Sequence, residues 1–146
     1  MLILIQRVKQ AEVQVAQKTV GAISKGLLAF ICAEPNDTSD TVDTALKKVM
    51  NLRIFADAEG KMNLNVQQVN GGILLVSQFT LVADTQRGNR PSFTKSAPPA
   101  QAERLYDEFV SKAKTSYHHV ATGQFGADME VHLINDGPVT IPMQIN

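Results

Sequence analysis

The chain has 146 residues, of which 44% are hydrophobic and 19% charged, and these proportions are typical of one globular domain. Fourteen basic and fourteen acidic residues cancel, which excludes a strong overall field that would attract DNA or a membrane surface. The apolar run MLILI at the N-terminus is too short for a signal-peptide core or a membrane span, so we expect a cytoplasmic protein.

The first part of the chain carries strand patterns. Apolar, β-branched or alternating residues predict strands at 2–8 and 11–16, and the runs at 20–24 and 26–33 continue the pattern. Cys32 lies in the last of these runs and has no partner for an internal disulfide, so we expect a buried thiol.

Two amphipathic helices are predicted. The first follows the N-cap candidates Asn36, Asp37 and Thr38 and extends to about Asn51. The second begins near Pro98 and Pro99. Its apolar residues recur at helical spacing, which gives an inner face of Ala102, Leu105, Tyr106, Phe109, Val110 and Ala113.

The remaining strands complete an α+β fold. A short strand is expected at 53–57, and the most apolar segment, 71–83, predicts one long central strand. Three more follow at 116–122, 129–135 and 139–145, with Pro142 indicating an edge position for the last. The prediction is a single domain, residues 1–146, whose largely antiparallel or mixed sheet is covered on one face by about two helices.

The common catalytic motifs are absent: the sequence has no GxSxG, HExxH, CxxC or Walker loop. His118 and His119 are adjacent in a predicted strand and should therefore point to opposite faces. His132 alternates with apolar residues and falls on the same side as Glu130. We therefore predict no metal site.

The segment SQFTL introduces polar residues into the apolar strand. Alternation would place Ser77, Phe79 and Leu81 on one face and Gln78 and Thr80 on the other. Burying such polar groups without partners is unfavourable. Either the strand leaves the core here, or the segment forms the floor of a pocket. No base lies nearby in sequence, so a Ser- or Thr-based nucleophile is not supported.

Three further segments each allow two interpretations. Arg87, Arg90 and Lys95 in the long polar loop are either solvated or bind an anionic substrate. Phe125 and Met129, in GQFGADME, are either core residues or the wall of a pocket. NDGPVT, residues 135–140, reads locally as a plain turn with a trans proline.

Together these segments resemble the D-aminoacyl-tRNA deacylase family from end to end. Its two signatures, SQFTL and Asn-x-Gly-Pro-x-Thr, are both complete, in order and at the right spacing. Cys32–Ala33 and the pair Glu12 and Gln14 depart from the usual pattern, and we expect them to affect packing rather than chemistry. Other matching segments are IQRV, VGAI, NLRIF, GKMNLN, ADT, RPSF, APP, LYDEFV and TGQFGADM.

The resemblance implies a homodimer with two shared active sites. In it, the SQFTL strand of one subunit meets a cis Gly137–Pro138 motif of the other. The backbone carbonyls of that motif exclude an L-side chain, whereas a D-aminoacyl group or achiral glycine fits. Arg7 matches a residue that braces this segment, and Asn135 begins the signature.

The resemblance also implies roles within the pocket. Ser77, Gln78 and Phe79 match positions that hold the aminoacyl-adenosine end, and Phe125 and Met129 match a wall that receives the adenine. Thr80 matches a proposed nucleophile, while a competing account assigns activation to the 2′-hydroxyl of the terminal adenosine; the missing base favours the second account. Arg87, Arg90 and Lys95 are our own suggestion for phosphate contacts.

The expected function is hydrolysis of D-aminoacyl-tRNA to a D-amino acid and tRNA, without metal or cofactor. Two alternatives stay open at this point. One is a non-catalytic RNA-binding module that keeps the fold, and the other is a general hydrolase of small esters that uses Thr80. Neither a membrane nor DNA is expected as a partner.

Overall fold

The computed structural model describes all 146 residues. The strands are β1 (Leu2–Val15), β2 (Lys18–Ile23), β3 (Gly26–Cys32), β4 (Phe55–Ala56), β5 (Met62–Leu64), β6 (Gly72–Ser77), β7 (Val120–Thr122) and β8 (Glu130–Gln144). The helices are α1 (Ser39–Asn51) and α2 (Pro99–Ser116), and a short 3₁₀ helix covers Phe79–Val82. The predicted domain, with two helices and a mixed sheet, is confirmed.

The main sheet has the order β2-β1-β3-β6-β7, and β8 pairs with β1. β1 runs antiparallel to β2, β3 and β8, whereas β6 is parallel to both β3 and β7. The first half of β1 pairs with β3 and the second half with β2, so one long strand replaces the two predicted at 2–8 and 11–16. β8 likewise replaces the two strands predicted at 129–135 and 139–145.

The sheet curls until its two ends meet. Gly21 in β2 packs directly on β7, and a Cβ atom added there would lie 2.1 Å from the carbonyl oxygen of Thr122. Gly26 allows a similarly close approach of β3 to β6, because a Cβ atom added there would lie 1.9 Å from the Gly72 carbonyl oxygen. Only glycine fits at such contacts because any side chain would overlap the neighbouring backbone.

Both faces of the sheet bury apolar residues, but unequally. The helices cover one face and form a core of 24 buried residues with it, whereas the other face buries a cluster of six. On α2, Leu105, Tyr106, Phe109 and Ala113 are buried as predicted. Thr38 is the N-cap of α1, and its backbone N–H donates a hydrogen bond to the hydroxyl of Thr41 at 3.0 Å.

The long strand predicted at 71–83 is wrong beyond Ser77. The last pair of the ladder joins Ile31 to Ser77, and β3 ends one residue later, so no neighbouring strand continues beside the chain. The backbone then turns into the 3₁₀ helix, in which Ala83 N–H donates to the Thr80 carbonyl at 3.1 Å. The alternation expected for Gln78, Phe79 and Leu81 is therefore lost.

The prediction for the adjacent histidines is also wrong. α2 continues to Ser116, and only Val120–Thr122 pair with β6, so His118 and His119 precede the strand. Their rings lie 4.4 Å apart between centroids rather than on opposite faces. His132 does lie beside Glu130, at 3.2 Å.

Pro142 lies on an edge strand, as predicted, because β8 pairs only with β1. Neither helix is long and apolar enough to cross a membrane.

Candidate active site

A cavity of about 720 Å³ opens where β3 and β6 end side by side. Its floor includes Cys32, Ser77 and Gln78. The segment leading into β8 forms one wall with Phe125 and Met129. The opposite wall comes from the polar loop and the start of α2, and includes Phe93, Ala97, Pro98 and Tyr106. The fold thus brings together the two segments SQFTL and GQFGADM, which are distant in sequence.

No Asp, Glu, His, Lys or Arg lines this cavity. Its two ionisable groups are Cys32 and Tyr106, and burial raises the pKa of both. The pKa of the Cys32 thiol rises to about 11. The Tyr106 hydroxyl donates a hydrogen bond to the Leu75 carbonyl at 2.8 Å. Both groups are therefore neutral at pH 7, and the cavity contains no side chain suited to act as a general base.

The 3₁₀ helix begins at the cavity, which its first residue, Phe79, lines. The N–H groups of Phe79 and Thr80 donate no hydrogen bond within the chain, as expected for the first residues of a helix. The side-chain amide of Gln78 donates to the hydroxyl of Thr80. Thr80 is half-buried but is not among the residues that line the cavity. This arrangement offers hydrogen-bond donors to an oxyanion, but no activated hydroxyl.

Cys32 lines the cavity. This differs from the expectation that its departure from the family pattern affects only packing, at a distance from the two signature motifs. Its thiol donates to the Phe79 carbonyl at 3.4 Å and connects the end of β3 to the 3₁₀ helix. The sequence carries no signal for this contact because the parallel pairing of β3 and β6 joins segments about 45 residues apart. Phe93 and Tyr106 are likewise cavity residues that sequence reasoning missed.

Phe125 and Met129 belong both to the cavity wall and to the packing around the core. Each is half-buried, and the Phe125 ring lies 6.0 Å from the Tyr106 ring. Gly123 leaves room for Met129, because a Cβ atom added at Gly123 would lie 2.8 Å from the Met129 sulfur. The two interpretations left open from the sequence are therefore compatible.

NDGPVT is not a turn between two strands but an irregularity inside β8. β1 residues Gln6 and Val8 pair with Thr140 and Asn135, so residues 136–139 lie opposite Arg7 alone. The Gly137–Pro138 peptide bond is cis, as the resemblance implies and against the local default. Gly137 has φ = +130°, a conformation that favours glycine.

Arg7 holds this bulged segment. Its guanidinium donates to the Ile54 carbonyl at 2.6 Å and to the Asp136 carbonyl at 3.1 Å. The Asp136 carboxylate lies 3.5 Å away. Asn135, Gly137 and Pro138 are exposed and do not line the cavity of their own chain. The two signature motifs are therefore separate surfaces within one chain.

The polar loop closes on itself beside the cavity. Asp84 and Ser92 exchange backbone hydrogen bonds at 2.8 and 3.0 Å. The Gln86 backbone N–H and then Lys95 hold the pKa of Asp84 below its ordinary value. Lys95 lies 3.6 Å from that carboxylate. Arg87 and Arg90 are exposed and form no salt bridge, so the structure leaves their charges available.

The fold and the cavity together define a class: an α+β protein whose cavity has uncharged walls and the volume for a small organic group. A family model described as D-Tyr-tRNA(Tyr) deacylase matches residues 4–144, and the chain belongs to this family.

Relatives and solved structures agree with this assignment. The chain is 57% identical to a D-aminoacyl-tRNA deacylase of Acidovorax ebreus (strain TPSY), covering 99% of this chain and 98% of the relative. It is 56% identical to one of Pseudomonas fluorescens (strain Pf0-1), covering 97% of each.

Two solved structures are similar over nearly their whole length. One is a c-Myc DNA unwinding element binding protein, with a TM-score of 0.95, 36% identity and coverage of 100% of this chain and 99% of that one. The other is a probable eukaryotic D-amino acid tRNA deacylase, with a TM-score of 0.87 and 97% coverage of each chain. At 16% identity the second likeness concerns the fold alone.

Proposed function

We propose that this protein is a hydrolase that cleaves the ester bond of D-aminoacyl-tRNA and releases the D-amino acid and the tRNA. The observation that carries the proposal is the uncharged cavity beside the free N–H groups of Phe79 and Thr80. An aminoacyl ester is activated relative to a peptide, so positioning and oxyanion stabilisation are sufficient to accelerate its hydrolysis. The names of the curated relatives support the same substrate.

In this proposal Ser77, Gln78 and Phe79 hold the aminoacyl-adenosine end, and Phe125 and Met129 receive the adenine. Water attacks the ester carbonyl, and the free N–H groups stabilise the negative charge that develops on its oxygen. No side-chain base is present to activate Thr80 as a nucleophile. We therefore assign the assistance of the attack to the 2′-hydroxyl of the terminal adenosine. No metal or cofactor takes part, and the protein acts in the cytoplasm.

We further propose that the protein works as a homodimer. β8 leaves one backbone edge unpaired along its 15 residues, and natural proteins usually cover such edges. Its core-facing apolar residues are only half-buried, and Ile134 is 49% exposed. These half-buried residues are Val131, Leu133, Val139, Ile141 and Met143.

The dimer would supply what one chain lacks. The Gly137–Pro138 segment is exposed and does not line its own cavity, so it is free to enter the cavity of a partner. There its backbone carbonyls would exclude an L-side chain and admit a D-aminoacyl group or glycine. Arg7 and Asn135 would support the segment, and Arg87, Arg90 and Lys95 would contact phosphates of the tRNA.

One observation favours a second candidate function. The solved structure with 36% identity is named for binding a DNA unwinding element, which suits a non-catalytic nucleic-acid-binding module. A general hydrolase of small esters through Thr80 is a third candidate.

Deacylation of matched D- and L-aminoacyl esters on the same tRNA separates these candidates. We expect the D-ester to disappear at least about 100-fold faster than the L-ester, because steric exclusion of one enantiomer is worth several kcal/mol. A binding module leaves both esters intact, and a general esterase removes both at similar rates. Equal rates for the two esters would refute the role proposed for Gly137 and Pro138.

A further inference from the structure

The rim of the cavity carries an exposed aromatic ring. Phe79 is 54% exposed and is the only aromatic residue among the exposed large apolar side chains, which also include Val20, Met62 and Ile134. A single exposed apolar residue is ordinary, but this ring also lines an apolar cavity, and exposed apolar surface that continues a pocket marks a binding site.

The Phe79 ring packs against a second aromatic ring. Phe93 and Phe79 pack in a T-shaped pair, with 5.3 Å between the centroids and 71° between the planes. Phe93 directly follows Ser92, whose backbone is paired with Asp84. Phe79 itself begins the 3₁₀ helix. Both rings are therefore attached to hydrogen-bonded backbone, which keeps the exposed ring in one orientation and lowers the entropic cost of stacking on it.

The same loop supplies positive charge. Residues 84–98 contain three basic side chains, Arg87, Arg90 and Lys95, and one acidic side chain, Asp84, which leaves a net charge of +2. The single carboxylate lies near Lys95, so the two arginines have no anionic partner in the chain. Phe79 touches this loop through Phe93. An exposed ring together with unpaired arginines in the adjoining loop is the combination that binds single-stranded nucleic acid, through stacking and phosphate contacts.

The inference rests on the proposed function. If the cavity encloses the terminal adenosine of a tRNA, the preceding nucleotide must leave across the rim, and in every tRNA that nucleotide is a cytidine. We propose that the base of this cytidine stacks on the Phe79 ring, supported by Phe93, and that Arg87 and Arg90 bind the adjoining phosphate. The protein then binds the single-stranded end of the tRNA beyond the adenosine and needs no contact with the tRNA body.

The test compares three substrates that share one D-aminoacyl group: D-aminoacyl-adenosine, D-aminoacyl-CpA, and the same dinucleotide without the cytosine base. For the wild-type protein we expect kcat/KM to be about 5- to 150-fold higher with CpA than with its abasic form, which is the usual effect of one stacked base. The abasic dinucleotide should still exceed adenosine, because it keeps the phosphate.

Two variants separate the base from the phosphate. Phe79→Leu should abolish most of the difference between CpA and its abasic form. The double variant R87Q/R90Q should keep that difference, but should reduce the advantage of the abasic dinucleotide over adenosine. Because each ratio is measured on one preparation, partial loss of folded protein cancels. Met62→Ala, at a similarly exposed position in β5, is the control and should change neither ratio.

Each outcome is decisive. If Phe79→Leu keeps the full advantage of the cytosine base, or if the wild-type protein shows no such advantage, the inference is wrong while the proposed function stands. If the wild-type protein cleaves none of the D-esters, the proposed function fails and the inference fails with it.

Discussion

At the scale of single residues, the proposed chemistry depends on backbone groups more than on side chains. The cavity has no charged side chain, and the pKa of Cys32 is raised to about 11, so proton transfer by the protein is unfavourable near neutral pH. The free N–H groups of Phe79 and Thr80 remain as hydrogen-bond donors that can stabilise an oxyanion. A substrate that carries its own hydroxyl next to the ester suits such a site.

Thr80→Ala tests whether the Thr80 hydroxyl is the nucleophile. We expect kcat for the D-ester to fall by about fivefold, because the Gln78 amide loses one hydrogen-bond acceptor. Loss of a true nucleophile would lower kcat ~10⁴-fold or more. Single-turnover deacylation measures the effect, and Thr115→Ala, an exposed threonine on α2, is the control. A ~10⁴-fold loss in a folded variant would restore Thr80 as the nucleophile.

Arg7→Met tests the support of the proposed chirality filter. The variant loses the charged donors to the Ile54 and Asp136 carbonyls, so residues 136–139 should move more freely. We expect the ratio of D- to L-ester cleavage to fall about tenfold or more, since each such hydrogen bond contributes about 1.5–3 kcal/mol.

The matched control is Arg53→Met. Arg53 also donates to a backbone carbonyl, that of Asn63, at 3.0 Å, but it lies at an exposed position. Its ratio of D- to L-ester cleavage should equal that of the wild-type protein. An unchanged ratio in Arg7→Met would show that Arg7 does not support selectivity.

At the scale of elements, strand pairing determines where the site forms. β6 changes from strand to 3₁₀ helix at the point where β3 stops, and this change turns the SQFTL backbone towards the cavity. The curl of the sheet brings β2 against β7, and β7 leads directly into the segment that carries Phe125. The contact between β2 and β7 that closes the sheet therefore also positions the wall of the cavity.

Gly21→Ala tests this closure. The added methyl group would overlap the Thr122 carbonyl, with only 2.1 Å between the two atoms, so β2 and β7 must separate. We expect the free energy of unfolding to fall by about 1–3 kcal/mol in urea denaturation. Ala22→Ser, an exposed neighbour in β2, should change it by less than about 0.5 kcal/mol. Equal stability of the two variants would contradict the close approach.

At the scale of the whole molecule, one chain holds both signature motifs but does not bring them together. The cavity lies at the ends of β3 and β6, whereas the Gly137–Pro138 bulge lies on the edge strand β8. The proposed two-fold dimer would resolve this separation, because the cavity of each subunit would receive the bulge of its partner. Activity should therefore depend on assembly.

Ile134→Lys tests that dependence. A two-fold axis would bring two new ammonium groups to one apolar interface, so we expect the dissociation constant of the dimer to rise about 100-fold or more. Sedimentation velocity measures the dissociation, and deacylation of the D-ester should recover as the protein concentration is raised. Met62→Lys, equally exposed in β5, should remain dimeric. A fully active monomer would contradict the shared site.

Local patterns in the sequence were sufficient for much of the fold. Helical spacing and capping residues located α1 and the start of α2 to within one residue or so, because these signals depend only on neighbours along the chain. The resemblance, carried by SQFTL and Asn-x-Gly-Pro-x-Thr, predicted the cis Gly137–Pro138 bond that the structure contains. Local rules alone predicted a turn at NDGPVT and a continuous strand through SQFTL, and both predictions were wrong.

The sequence by itself therefore determined the helices, most strand positions and the family to which the signature motifs belong. Only the tertiary structure decided the end of β6, the single long strands β1 and β8, and the contact of Cys32 with Phe79. The physical reason is that a strand continues only while a neighbouring strand pairs with its backbone. That neighbour is supplied by residues far away in the sequence, which no local pattern describes.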